Sequence, residues 1–234
     1  MVCTELKRLT FCGAVFLQSL GSQVSIAESN EATDSKLEEM AFLMTPTLAD
    51  PASAPNPFSL EIGLGVMQSV LNEGHTEKEE RVQIPELWLK AGLFYPFSLA
   101  LNLAQDERSD LSSRSAILQW SFFEEPFWPA LCWRFAAGQM GGPSGILGEH
   151  QGSEFVISWG LNKLTVFAAV GIFRYSMRES LSEQEEIRTL TLASERVSKF
   201  GLFYQLLPAS FSLAAEVSQM AKKSSFVGKI VAHL

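Results

Sequence analysis

The stretch from Glu154 to Phe173, EFVISWGLNKLTVFAAVGIF, narrows the possible folds more than any other. Large apolar residues fall at Phe155, Ile157, Trp159 and Leu161. They resume at Leu164, Val166, Ala168, Val170 and Ile172 after the dipeptide Asn162-Lys163. Period-two alternation on both sides of a two-residue break is the pattern of a β-hairpin. In that register Leu161 opposes Leu164 and Trp159 opposes Val166, so both apolar sets cover one face. The other face carries Val156, Ser158, Gly160, Thr165, Phe167, Ala169 and Gly171, which are mostly small. A hairpin this apolar on one side needs a large buried sheet core or lipid against it.

The same alternation recurs along the chain. It runs from Phe58 to Val66, Leu87 to Leu93, Phe97 to Leu103, Ala116 to Phe122 and Leu131 to Ala137 before the hairpin. After it come Leu190 to Tyr204, with Leu190, Leu192, Phe200 and Leu202 in phase, then Phe211 to Val217 and Phe226 to Leu234. Ten antiparallel strands are expected, with eight as the alternative. Their connections alternate: short near 94–96, 123–126, 162–163 and 205–208, longer and polar near 72–81, 106–113, 139–152 and 176–187. The last of the second set, near 221–225, is brief. Plausible turn lengths pair Leu93 with Phe97, Phe122 with Phe127, and Tyr204 with Ala209, apolar face against apolar face.

Composition separates the two destinations for that face. Hydrophobic residues make up 47% of the 234 and charged residues 19%, against about a quarter charged in an ordinary soluble domain. No run of about 18 apolar residues marks a helical span. The second face offers only about one charge or amide per strand: Glu61, Asn102, Gln119, Arg134, Glu154 and Glu216. A soluble barrel needs a charged water face, so the apolar face is expected outward, in lipid. Aromatic residues also collect beside the short turns. Phe94, Tyr95, Phe97, Trp120, Trp128, Trp159 and Tyr204 are candidates for an interfacial girdle. The expected fold is all-β: a transmembrane antiparallel up-and-down barrel over residues 58–234.

Residues 1–27 read as a secretory leader. Lys7 and Arg8 precede an apolar run from Leu9 to Leu20, and Ser25-Ile26-Ala27 is a small-x-small cleavage pattern. Cleavage after Ala27 takes Cys3 and Cys12 with it, leaves Cys132 as the one cysteine, and changes the net charge from −8 to −9. Such an acidic chain has no electrostatic reason to bind nucleic acid. Residues 28–57 have the composition of a periplasmic linker, ending in Pro46, Pro51, Pro55 and Pro57. Within them Ser35-Lys-Leu-Glu38 resembles a capping box, and Leu37, Met40, Ala41 and Met44 have helical spacing. A marginal helix in a disordered linker is the expected form; a plug inside the barrel and a helix lying on the membrane are the alternatives.

In strand number, turn alternation and aromatic placement, the chain resembles the small outer-membrane β-barrels of Gram-negative bacteria. The resemblance covers the leader and residues 58–234. It implies short turns and both barrel termini in the periplasm, loops outside, contact with outer-membrane lipid and lipopolysaccharide, and insertion by the barrel-assembly machinery. The implied terminal aromatic is missing, since the chain ends Ala232-His233-Leu234. No cofactor is implied.

Chemistry is sparse. His75 and His150 fall in expected outer loops, and Asp106 and Asp110 in another, where an omptin-type protease would hold its acids and histidine, but no spacing links them. His233 invites comparison with a lipid-A deacylase, without a matching serine motif. No Cys/His cluster has metal-ligand spacing, and Gly141-Gly142-Pro143-Ser144-Gly145 lacks a phosphate-loop context. No catalytic residue is therefore assigned. Arg134, Lys199, Glu216 and Lys229 fall on the non-lipid face, where they line a pore or fill a narrow lumen as an ion-paired network. Pairing Gln219 with Phe226 places Glu216 opposite Lys229. The Tyr204/Ala209 register places Lys199 opposite Ala214, diagonal to Glu216. A largely occluded lumen with a structural or surface-interaction role through acidic loops is the expected outcome. A narrow channel is the runner-up, and a lipid- or peptide-hydrolysing enzyme comes third.

Overall fold

The computed structural model describes residues 40–43, 45–47, 51–52, 56–72, 79–106, 110–123, 128–142, 146–181, 186–207, 210–220 and 223–234. The expected leader, the capping box at Ser35 and Glu38, His75, Phe127 and Ala209 lie outside these residues. Ten strands follow one another: β1 Leu60–Asn72, β2 Glu79–Gly92, β3 Phe97–Asp106, β4 Leu111–Phe123 and β5 Ala130–Gly142, then β6 Ile146–Leu161, β7 Leu164–Leu181, β8 Glu186–Leu207, β9 Phe211–Met220 and β10 Lys223–His233. Each pairs antiparallel with its sequence neighbours, and β1 pairs with β10, so the sheet closes on itself. Leu60 and Leu234 exchange main-chain hydrogen bonds at that seam. Closure leaves no strand edge unpaired.

The central hairpin has the expected register, Leu161↔Leu164 and Trp159↔Val166, with Asn162 at φ 60° in the turn. Leu93 and Phe97 close the first short turn through Leu93 N–H donating to Phe97 O at 3.1 Å. The period-two apolar positions face outward: Leu99, Leu101, Leu118, Ile157, Val170, Leu213 and Ile230 are all exposed. At the short-turn side, ring contacts run Phe94–Phe97–Trp120–Phe122–Phe155–Trp133 at centroid distances of 5.3–6.3 Å. At the loop side the outward positions become polar, with Gln68, Gln83, Gln105, Arg114, Gln139, Gln151, Arg174, Arg196 and Gln219 on β1 to β9 in turn. Between belt and rim, from Phe97 to Gln105, a strand rises roughly 20 Å at ~3.3 Å per residue and ~40° tilt, close to the ~25 Å apolar band of a membrane barrel.

Three expectations change. The polar connections at 139–152 and 176–187 are mostly strand, and 72–81 is strand at both ends, since pairing continues to Asn72↔Glu79, Gly142↔Ile146 and Leu181↔Glu186. Backbone pairing does not depend on side-chain polarity, so the polar residues mark where strands leave the apolar band, not where they end. In β8 the register slips by one residue between Phe173↔Glu195 and Tyr175↔Leu192, so Leu190 and Leu192 are out of phase with Phe200 and Leu202. Near 205–208 the observed pairs are Leu202↔Ala215 and Tyr204↔Leu213, with a further irregularity before Leu207↔Phe211.

Inside, large rings lie directly opposite glycines: Trp88 on Gly63, Phe173 on Gly152 and Phe167 on Gly201. A Cβ on Gly201 would run into the Phe167 ring and approach Ala215 O to 2.7 Å. Gly201→Ala is expected to cost about 1–3 kcal/mol by overpacking. Gly160→Ala, whose Cβ meets only Thr165 Oγ1 at 3.9 Å, is the control and should be near neutral. Urea unfolding in lipid vesicles compares the two.

Candidate functional site: the barrel interior

Of residues 28–57, the described residues 40–43, 45–47 and 51–52 lie inside the barrel, whereas Asn56 and Pro57 are exposed. Residues 40–43 form one helical turn and are buried, as are Thr45, Thr47 and Ala52. Phe42 packs in the cluster that contains Met67, Trp88, Met140 and Tyr175. Thr45 Oγ1 hydrogen-bonds both Ala41 O and the Tyr175 hydroxyl.

Beyond Thr45 the segment is held by its carbonyl oxygens. Lys199 Nζ donates to Pro46 O at 2.7 Å. Lys229 Nζ donates to Thr47 O at 2.8 Å, and Asn102 Nδ2 to the same oxygen at 3.1 Å. Arg134 Nη2 donates to Pro51 O at 3.2 Å. Ala52 O accepts from Ser121 Oγ at 2.8 Å and Gln119 Nε2 at 3.2 Å, while Ala52 N donates to Ser158 Oγ at 3.0 Å. A lumen rich in donors suits a segment rich in proline, because Pro46 and Pro51 present acceptors without an N–H that also needs a partner.

The cations of this set are balanced by carboxylates. Glu154 faces two of them, Arg134 at 3.1 Å on the adjacent strand and Lys199 at 2.8 Å from β8. Glu86 takes Lys229 at 3.5 Å, and both its oxygens accept from Thr47 Oγ1 at 2.7 and 2.8 Å. Lys229 on β10 and Glu86 on β2 meet across Gly65, which pairs with both. A Cβ there would sit 2.6 Å from Lys229 Cγ. Glycine on the middle strand therefore lets partners two strands apart reach one another.

All four residues singled out from the sequence, Arg134, Lys199, Glu216 and Lys229, are buried in this interior. The expected register is not what is observed. Val217, not Gln219, pairs with Phe226, so Lys229 stands opposite Ala214 and Glu216 opposite Val227, while Lys199 stands opposite Ser218. Glu216 Oε1 accepts from Ser218 Oγ at 2.9 Å. Glu154 lies between two cations, and Glu86 takes Lys229. Glu154 was visible as an inward charge, but its second partner needs the β6–β7–β8 geometry.

Of the girdle residues, Phe94, Tyr95, Trp128, Trp159 and Tyr204 are exposed, and Phe97 and Trp120 are half-buried with rings stacked at 6.3 Å. His150 is not in an outer loop. It lies on β6 beside Gln151 of the rim, buried in the interior with Nε2 3.1 Å from Ser115 Oγ, whereas Asp110 is exposed. His233 does have a serine: Ser212 Oγ is 2.8 Å from its Nε2, and Glu61 Oε1 is 3.3 Å from its Nδ1. The order matches a hydrolase triad, yet Ser212 is fully buried, so no substrate reaches its oxygen. Joining β9, β10 and β1, the chain of contacts fastens the closing seam.

Glu154→Ala removes the carboxylate that the buried Arg134 and Lys199 share and is expected to cost roughly 3–5 kcal/mol. A lowered urea midpoint in vesicles checks it; a change below about 1 kcal/mol would remove the two-cation role assigned to Glu154.

No protein-family model matches the chain, nor does any curated protein. Among solved structures, the chain is similar to the outer membrane protease OmpT from Escherichia coli, with TM-score 0.42 and 7% identity over 76% of this chain and 95% of that one. It is similar to the KdgM porin in complex with disordered oligogalacturonate, with TM-score 0.40 and 6% identity over 74% of this chain and 98% of that one. The N-terminal β-barrel domain of Pseudomonas aeruginosa OprF gives 0.36 and 10% identity over 76% and 98%.

Proposed function

We propose that the chain is an integral outer-membrane barrel whose lumen is closed by its own N-terminal segment. Its role is structural or interactive at the surface. Support for the membrane comes from the outward face: an apolar band, an aromatic belt on one side and a Gln/Arg rim on the other. In this reading short turns, Leu60 and Leu234 are periplasmic, and the loop-side strand extensions project outside. Outer-membrane lipid, with lipopolysaccharide at the rim, surrounds the band, and the barrel-assembly machinery inserts it.

The observation that carries the closed lumen is the burial of Thr45, Thr47 and Ala52 with the carbonyls of residues 46, 47, 51 and 52 taken by interior donors. A channel that opens when the segment withdraws is the second reading. It is favoured by the buried interior charges Lys90, Arg134, Lys199 and Lys229 against Glu86, Glu154 and Glu216, which would then line the pore.

Planar-bilayer conductance separates these. Refolded full-length protein is expected to be electrically silent, while deletion of residues 28–52 gives stable conductance. Steady conductance from the full-length protein would overturn the closed lumen. Face assignment has its own check. Leu101→Arg, at the middle of the outward band, is expected to cost roughly 2–4 kcal/mol in lipid.

A further inference from the structure

The segment inside the lumen has a direction. At the short-turn side, Phe58 N–H donates to Gly92 O and Gly92 N–H to Ser59 O, both at 2.9 Å. Ala52 is bound by Ser121 and Ser158, each within three residues of the short-turn end of its strand. Thr47 lies at mid-height against Glu86, Asn102 and Lys229. Thr45 meets Tyr175, and Met40 packs against Gly142, the last residue of β5 on the loop side. Gly142 is three residues beyond Gln139 of the polar rim. Between Ser59 and Met40 the chain therefore climbs the whole apolar band.

We propose that this segment is an eleventh crossing, threaded through the barrel, so that Met40 and the two barrel termini, Leu60 and Leu234, open to opposite sides of the membrane. With the orientation given above, on which this inference rests, Met40 faces the cell exterior. The lumen is then a conduit occupied by one strand of its own chain. Its donors recognise main-chain carbonyls, which every residue has, while Thr45 meets the Tyr175 hydroxyl and Ala52 clusters with Phe167. The seam at Leu60 and Leu234 remains on the inner side.

The test is labelling with a membrane-impermeant maleimide in intact and permeabilised Gram-negative cells expressing the full chain. Ser35→Cys and Leu234→Cys are made separately, with Cys132 retained because it is buried and the unaltered protein as background. An epitope tag between Asp34 and Ser35 is the companion variant. Expected is equal labelling of Ser35→Cys in intact and permeabilised cells, with Leu234→Cys labelled only after permeabilisation. If both need permeabilisation while the protein stays in the outer-membrane fraction and still shifts on heating in gels, threading is overturned and the membrane barrel stands. If the protein is recovered soluble without detergent, the membrane reading and this inference fall together.

Discussion

The interior of this barrel depends on a run of main-chain carbonyls. Lys199, Lys229, Arg134, Asn102, Gln119 and Ser121 all donate to oxygens of residues 46, 47, 51 and 52. Each donor is buried, and a buried donor without an acceptor costs roughly 1–3 kcal/mol, more when charged. Removing the segment thus exposes a set of cations and amides to one another or to water. The barrel wall and its filling are matched as donor to acceptor, which gives the prolines of the segment a purpose beyond linker stiffness.

The ion pairs follow from the same confinement. Glu154 holds Arg134 and Lys199, and Glu86 holds Lys229, so each of these three cations has both a carboxylate and a carbonyl. Such desolvated pairs are weak sources of net stability but costly to break. Their arrangement across strands requires space on the intervening strand, supplied by Gly65 on one side and by Ala169 and Gly171 on the other. Small residues inside the barrel are thus places where a long side chain or a ring from the neighbour lies.

Much of the fold was legible in the sequence. Parity along each strand is local, set by the pleat, so Phe155, Ile157, Trp159, Leu164, Val166 and Val170 declared a common face. Turn residues such as Asn162 then fixed the central hairpin register. Strand ends were less legible, because polar residues such as Gln139, Glu149, Gln151, Ser176 and Arg178 lie towards the loop side yet still pair. The slip in β8 was invisible for another reason: a bulge changes which face a residue takes without changing its chemistry.

What the sequence by itself determined, outside the slip in β8, is the inward or outward assignment of residues and the sparse set of interior charges. Only the tertiary structure decided which charges meet. An error of two residues in a turn, as between the expected Gln219/Phe226 pair and the observed Val217↔Phe226, keeps every side chain on its face while moving every partner. Parity cannot detect it. Closure brings β10 to β1 and so joins Lys229 to Glu86, and Ser212 through His233 to Glu61, residues far apart in the chain. The position inside the barrel of the segment described by residues 40–43, 45–47 and 51–52 lies furthest from sequence reading. Its short helical turn and prolines acquire their partners only once ten strands have closed around them.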